Sequence, residues 1–140
     1  MSELIGTWIL ESIYYKDANN EKVNLYGDDP NGILMYDAHG YMNAQIGYKN
    51  REHLGRDELN SNSSNKKQQA FDTFTAYYGT YKIIDNKTVV HTVIGCTIPD
   101  WEKGDEIRFF SISGNKMKIN TPETKINGFN TVIEVEWLRC

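Results

Sequence analysis

The stretch Tyr77–Ile112 decides the fold of this chain. It reads Y-Y-G-T-Y-K-I-I-D-N-K-T-V-V-H-T-V-I-G-C, then a loop carrying P-D-W-E-K-G, then E-I-R-F-F-S-I. Runs rich in β-branched and aromatic residues, bounded by turn residues, are typical of β-strands. The stretch therefore predicts three long strands, Tyr78–Ile84, Thr88–Cys96 and Glu106–Ile112.

The sequence on either side of this stretch has the same character. Alternating apolar and polar residues between turn signals predict five further strands, at Gly6–Tyr15, Gly32–Asp37, Tyr41–Tyr48, Lys116–Thr121 and Phe129–Leu138. The total is about eight, the number at which an up-and-down sheet closes and can hold one small ligand. We therefore expect an all-β fold, a single antiparallel barrel domain that spans residues 1–140.

The connections between these strands alternate in length. Three are tight turns, at Asp37–Gly40, Asp85–Lys87 and Ser113–Asn115. In a meander, these turns all lie at one end of the barrel, and the longer links lie at the other. The spacing predicts a barrel closed at one end and open at the other, with Tyr26, a helix and Trp101 around the mouth.

One helix is predicted among the strands, at Lys66–Tyr78, after a polar surface loop at Lys49–Gln69. Asn65 is a suitable N-cap, and Gly79 is placed to end the helix. An apolar stripe at helical spacing supports it, formed by Phe71, Phe74 and Tyr78. We expect this helix to lie near the open end of the barrel.

Composition excludes several classes of function. Fifteen Lys and Arg residues against 19 Asp and Glu give a net charge of −4, and no basic stripe favours a nucleic-acid partner. No run approaches the roughly 20 apolar residues of a membrane helix, and the N-terminus lacks the features of a signal peptide. The two cysteines, Cys96 and Cys140, belong to no metal-binding motif. We expect no metal, no cofactor, no membrane partner and a cytoplasmic location.

Three polar residues on the central strands are the first candidates for a binding site: Tyr81, His91 and Arg108. Periodicity barely decides which face His91 occupies, and an inward histidine is more often a satisfied core group than an acid or base. Tyr81 is either a core tyrosine or a ligand contact. Arg108 is either a solvated charge or an inward cation that requires an anionic or carbonyl partner.

Four further residues are candidate ligand contacts. Trp101 in the mouth loop either stacks on a ligand or covers a barrel edge, and Tyr77 on the predicted helix would be a lid contact. Gln45 and Tyr36 are included because the phase of their strands stays open, although the face of Met42, Ala44 and Ile46 is the more apolar one.

Five segments of the chain resemble the lipocalin-like domain family, the calycin-like small barrels of bacteria and fungi. They read L-I-G-T-W-I-L-E-S, D-D-P-N-G-I-L-M-Y-D-A-H-G-Y-M-N-A-Q-I, F-D-T-F-T-A-Y-Y-G-T-Y-K-I, V-V-H-T-V-I-G-C-T-I-P-D-W and E-I-R-F-F-S-I. The resemblance covers nearly the whole chain. It implies a calycin-like barrel with a small-molecule cavity and says little about any reaction, since fold alone does not fix function.

Three functions remain open from the sequence. The first is binding of one small, mostly apolar or aromatic molecule in the barrel cavity. The second is an isomerase, cyclase or hydrolase that uses His91 or Tyr81 for proton transfer and Arg108 to stabilise negative charge. The third is a structural domain with a filled core. Convergence of Tyr81, His91 and Arg108 on one cavity is the feature that separates them.

Overall fold

The computed structural model describes residues 3–55 and 64–140. In these two segments the chain forms eleven strands, an α-helix and a short 3₁₀ turn at Pro99–Trp101. In chain order the elements are β1 (Gly6–Lys16), β2 (Lys22–Asn24), β3 (Asn31–Tyr36), β4 (Tyr41–Gly47), α1 (Ser64–Asp72), β5 (Phe74–Asp85), β6 (Thr88–Cys96), β7 (Asp105–Ser113), β8 (Lys116–Asn120), β9 (Thr124–Ile126), β10 (Phe129–Thr131) and β11 (Ile133–Arg139).

Eight of the strands close into an antiparallel barrel, which confirms the predicted fold. Neighbouring strands of the barrel follow the order β1, β3, β4, β5, β6, β7, β8 and β11, and each pairs with the next. The barrel closes because β11 pairs with both β8 and β1. Two short additions lie outside this ring: β2 pairs with β1, and β9 with β10 forms a separate hairpin.

The alternation of short and long links is also confirmed. The links β3–β4, β5–β6 and β7–β8 are tight turns at one end, which we call the closed end. The links β1–β3, β4–β5, β6–β7 and β8–β11 are longer and lie at the other, open end. They carry β2, α1, the 3₁₀ turn and the β9–β10 hairpin respectively.

Buried side chains fill the closed half of the barrel. Trp8, Tyr36, Met42, Val89 and Met117 lie on strands near the tight turns and are all almost fully buried. Burial of large apolar side chains is the main favourable contribution to folding. Packing is therefore dense at the closed end, and the open half is left as a cavity.

The predicted helix bounds were wrong. The helix ends at Asp72, and β5 begins at Phe74, so the residues from there to Tyr78 are strand rather than helix. Phe74 pairs with Gly47, and Tyr77 pairs with Ala44, so this segment supplies the hydrogen bonds that β4 needs on its free edge. Tertiary pairing thus prevails over the helical spacing of the aromatic residues.

Two other bounds differ from the prediction. The last strand is interrupted: Phe129–Thr131 pairs in a hairpin, and Ile133–Arg139 belongs to the barrel. Within the predicted loop Lys49–Gln69, the helix already begins at Ser64, and residues 56–63 lie outside the described part of the chain. Within the described segments, no helix has the length and apolar character needed to span a membrane.

A β-bulge interrupts the pairing of β5 with β6 close to Tyr81 and His91. Tyr81 pairs directly with His91, as the turn at Asp85 predicts, but the register shifts by one residue between Tyr78 and Gly79. Gly79 does not end a helix. It lies where a Cβ atom would stand 1.9 Å from the carbonyl oxygen of Thr92, so only glycine fits this close approach of the two strands.

Candidate functional site

The open half of the barrel contains a cavity of about 350 Å³. This volume lies at the lower end of the range found for small-molecule sites. Its walls are mainly apolar and come from most strands of the barrel, as its lining shows: Ile13, Leu25, Tyr26, Leu34, Ala44, Ile46, Asp72, Thr75, Tyr77, His91, Ile98, Trp101, Arg108, Ile119, Thr121, Ile133, Val135 and Trp137.

His91 is held between two tyrosine hydroxyls on the cavity wall. Its side chain is 1% exposed, and it is the one polar or charged residue in the fully buried core of the described segments. The hydroxyl of Tyr36 lies 2.7 Å from Nε2, and the hydroxyl of Tyr77 lies 2.7 Å from Nδ1. Both ring nitrogens therefore have a partner, and the imidazole cannot rotate without breaking a hydrogen bond.

Burial keeps all three of these groups neutral. Removal from water, reinforced by the positive charge of Arg108, lowers the pKa of His91 to about 3. Burial likewise raises the pKa of Tyr77 to about 12, with Arg108 acting in the opposite direction, and it raises the pKa of Tyr36 well above 10. At neutral pH the Tyr36–His91–Tyr77 chain is thus an uncharged hydrogen-bonded network.

Arg108 is the cation of the cavity wall. It lies on β7, its side chain is 13% exposed, and Nη1 donates a hydrogen bond of 2.9 Å to the carbonyl of Ile107. Among the residues that the structure describes, the nearest carboxylate is that of Glu106, 4.0 Å from Nη2, which is beyond hydrogen-bond distance. The guanidinium is therefore largely desolvated and only weakly paired.

Aromatic and hydroxyl groups surround the mouth. Trp101, on the 3₁₀ turn, packs edge to face against Tyr77 with 5.9 Å between ring centroids. The hydroxyl of Tyr26 lies 2.6 Å from Oγ1 of Thr75, so the β1–β3 link is tied to the start of β5. Asp72, the last residue of the helix, completes this rim.

The structure brings four of the seven candidate residues together. Tyr77, His91, Trp101 and Arg108 all line the cavity. Tyr77 reaches it from strand β5 as part of the wall, and not from a helical lid as predicted, because the helix ends before it.

The other three candidates lie elsewhere. Tyr36 stands behind His91, in the core at the closed end. Tyr81 packs edge to face on Tyr36 and donates a 2.6 Å hydrogen bond to the carbonyl of Asp37, so its hydroxyl points to the tight-turn end. Gln45 is exposed on the outer face of β4, because Met42, Ala44 and Ile46 take the inner face. The three central residues therefore do not all converge: His91 and Arg108 line the cavity, and Tyr81 does not.

Sequence reasoning did not single out several residues of the wall. The alternation of Ile133, Val135 and Trp137 in the last strand was the available signal, and all three line the cavity. Trp137 has a buried indole N–H without an acceptor among the described residues. Thr75 was missed because its segment was predicted as helix.

The polar groups at the cavity are suited to donating hydrogen bonds to a ligand. Arg108 is a permanent donor, and Tyr77 remains a phenol at neutral pH. Over residues 3–55 and 64–140, no three His, Cys, Asp or Glu side chains are grouped so that they could hold a metal ion. The arrangement is an apolar chamber with a small cluster of donors on one wall.

Comparison with known proteins agrees with this architecture. Residues 5–140 match a family model described as a lipocalin-like domain. A search of curated proteins gave no match.

Proposed function

The chain belongs to the lipocalin-like domain family, and from that premise we propose that its barrel binds one small, mostly apolar or aromatic molecule. The barrel of such a domain suits small-molecule binding in general. The specific proposal is that the ligand occupies the open half of the barrel, with its rings or chain against the aliphatic wall and a polar group toward Tyr77 and Arg108.

One observation carries the proposal: the 350 Å³ cavity combines an apolar wall with a few convergent polar groups. A mostly apolar wall provides affinity through burial of ligand surface, and a small number of placed polar groups provides orientation. A purely structural barrel would instead be expected to fill this half with side chains, as the closed half is filled.

The state of His91 favours binding over acid–base catalysis in the same cavity. An efficient general base has a pKa near the working pH, and the pKa of His91 is lowered to about 3. Both of its nitrogens are also occupied by tyrosine hydroxyls. The alternative function, an isomerase, cyclase or hydrolase, would need another proton acceptor or a rearrangement of this network.

The direct test is a titration with N-phenyl-1-naphthylamine, a neutral dye that fluoresces when it enters an apolar cavity. We expect saturable binding of one dye molecule per chain. The matched variants are Ala44→Met, which extends a side chain from the inner face of β4 into the cavity, and Gln45→Met, which adds the same side chain to the outer face.

Ala44→Met should weaken dye binding at least about 10-fold, because the new side chain takes the space that the ligand needs. Gln45→Met should bind the dye as the wild-type protein does. Thermal melts establish that both variants are folded. No saturable binding to the wild-type protein, or equal binding by a folded Ala44→Met variant, would contradict the proposed function.

A further inference from the structure

The direction of the hydrogen bonds around His91 can be assigned from the network. A neutral imidazole has one N–H donor and one bare nitrogen acceptor, so one tyrosine donates to it and the other accepts from it. If Nε2 carried the proton, the hydroxyl proton of Tyr36 would have no acceptor among the described residues, inside a densely packed core. An unsatisfied buried donor is costly, so Tyr36 donates to Nε2, and the proton lies on Nδ1.

This assignment determines what Tyr77 offers to the cavity. Nδ1–H of His91 donates to the oxygen of Tyr77, so the hydroxyl proton of Tyr77 is left to donate elsewhere. Tyr77 lines the cavity, where a ligand atom can accept that proton. The buried Tyr36–His91 pair therefore fixes Tyr77 as a hydrogen-bond donor toward the ligand.

Arg108 supplies a second donor and a charge at the same place. It lines the cavity together with Tyr77, and its guanidinium is near enough to the Tyr77 hydroxyl to oppose the rise in the pKa of that group. Glu106 lies 4.0 Å away and is not part of the cavity lining, and Asp72 is exposed at the rim. In the described part of the chain, its N–H groups meet the carbonyl of Ile107 and the hydroxyl of Tyr77, and the remaining ones can donate to a ligand.

We propose that the ligand is a carboxylate carried on an apolar ring system or chain, bound through the Tyr77 hydroxyl and the Arg108 guanidinium. A carboxylate has acceptor sites for both donors, and guanidinium and carboxylate match in charge and planar geometry. A ligand anion would also compensate a buried cation that no carboxylate of the described residues reaches by a hydrogen bond. This inference rests on the proposed function, because it assigns the polar end of the same ligand.

The test compares 2-naphthoate with methyl 2-naphthoate as competitors for bound N-phenyl-1-naphthylamine. The two compounds share the ring system, and only the first carries the negative charge. We expect the wild-type protein to prefer the carboxylate about 10-fold or more, the size of a charge-assisted hydrogen bond in a desolvated site. Arg108→Met and Tyr77→Phe should each reduce this preference, and Lys82→Met, which removes a cation from the exposed side of β5, should retain it.

The outcomes separate this inference from the proposed function. Equal displacement of the dye by both compounds in the wild-type protein would overturn the carboxylate assignment and leave the apolar binding function intact. An unchanged preference in a folded Arg108→Met variant would overturn it as well. Failure of the wild-type protein to bind the dye would overturn both. If Tyr77→Phe does not fold, Arg108→Met decides the result alone.

Discussion

The hydroxyl of Tyr36 lies 2.7 Å from Nε2 of His91, at the boundary between the filled and the open half of the barrel. One ring belongs to the packed core, and the other faces the cavity. The contact joins β3 to β6, strands that are separated by β4 and β5 in the sheet. Through it, the packed core at the closed end of the barrel fixes the orientation of His91 on the cavity wall.

Removal of the Tyr36 hydroxyl should therefore destabilise the protein. In Tyr36→Phe the buried Nε2 acceptor loses its partner, and we expect the free energy of unfolding to fall by about 1–3 kcal/mol. Tyr81→Phe is the control, because Tyr81 donates to the Asp37 carbonyl at the exposed tight-turn end. Its loss should cost less, since water can replace the bond. Urea unfolding measures the free energy of unfolding of both variants. An equal or larger loss in Tyr81→Phe would show that the buried Tyr36–His91 hydrogen bond contributes no more to stability than an exposed one.

His91 should make the fold sensitive to acid. Its pKa is lowered to about 3 in the folded chain, against 6.5 for the unperturbed group. Below pH 6.5 the unfolded chain therefore takes up a proton that the folded chain does not. The stability that this difference contributes is complete above pH 6.5 and decreases as the pH falls toward 3. We expect a loss of about 2 kcal/mol at pH 5 from this group alone.

The comparison between pH 7 and pH 5 is made with two variants. His91→Gln should be less stable than the wild-type protein at pH 7, and its stability should change less between the two pH values. His39→Gln, in the exposed β3–β4 turn, should keep the wild-type difference. A His91→Gln protein with the same loss between pH 7 and pH 5 as the wild-type protein would show that His91 is not the group responsible.

The fold was accessible from the sequence because turn residues and strand periodicity agree along most of the chain. The alternation of tight and long links alone located the mouth. The segment Phe71–Tyr78 was predicted wrongly. Its aromatic residues have helical spacing, but Thr75 and Tyr77 also form an alternating pattern that belongs to a strand. The choice between helix and strand depends on pairing with β4, which is a tertiary contact that the local sequence does not contain.

The candidate site could also be predicted only in part from the sequence, because side-chain contacts across strands depend on the tertiary structure. His91 and Arg108 stand in strands that were predicted correctly, but periodicity barely decided the face of His91 and left Arg108 either inward or solvated. Tyr81 pairs with His91 as expected, yet its ring points to the closed end, because Tyr36 lies between it and the cavity. The contact of Tyr77 with His91 spans the register shift at Tyr78–Gly79, which no periodicity reveals.

Gly79 should not tolerate a side chain. A Cβ atom there would overlap the Thr92 carbonyl at 1.9 Å, so we expect Gly79→Ala to lower the free energy of unfolding by roughly 1–3 kcal/mol or more. Gly104→Ala is a milder comparison, since its nearest contact, the carbonyl of Trp101, is 3.3 Å away. Unfolding in guanidinium chloride measures the free energy of unfolding of both variants. A Gly79→Ala protein as stable as the wild-type protein would show that the strands can separate here at little cost.

Arg108 should contribute little to the stability of the ligand-free protein. Burial of a weakly paired cation is unfavourable, so we expect Arg108→Met to leave the melting temperature unchanged or to raise it. Arg139→Met provides the contrast, because Arg139 stacks on Trp8 at 4.1 Å and donates to the carbonyl of Ile5, and its loss should lower the melting temperature. A fall of several degrees in Arg108→Met would mean that the guanidinium is a structural group instead.

The location of the ligand is tested most directly by NMR spectra of the isoleucine methyl groups, recorded with and without saturating N-phenyl-1-naphthylamine. Ile13, Ile46 and Ile119 line the cavity, and Ile94 and Ile107 are exposed on the outer face of the sheet. We predict large shifts for the first three methyl groups and little change for the other two. Shifts confined to Ile94 and Ile107, or none in any of the five, would contradict binding inside the barrel.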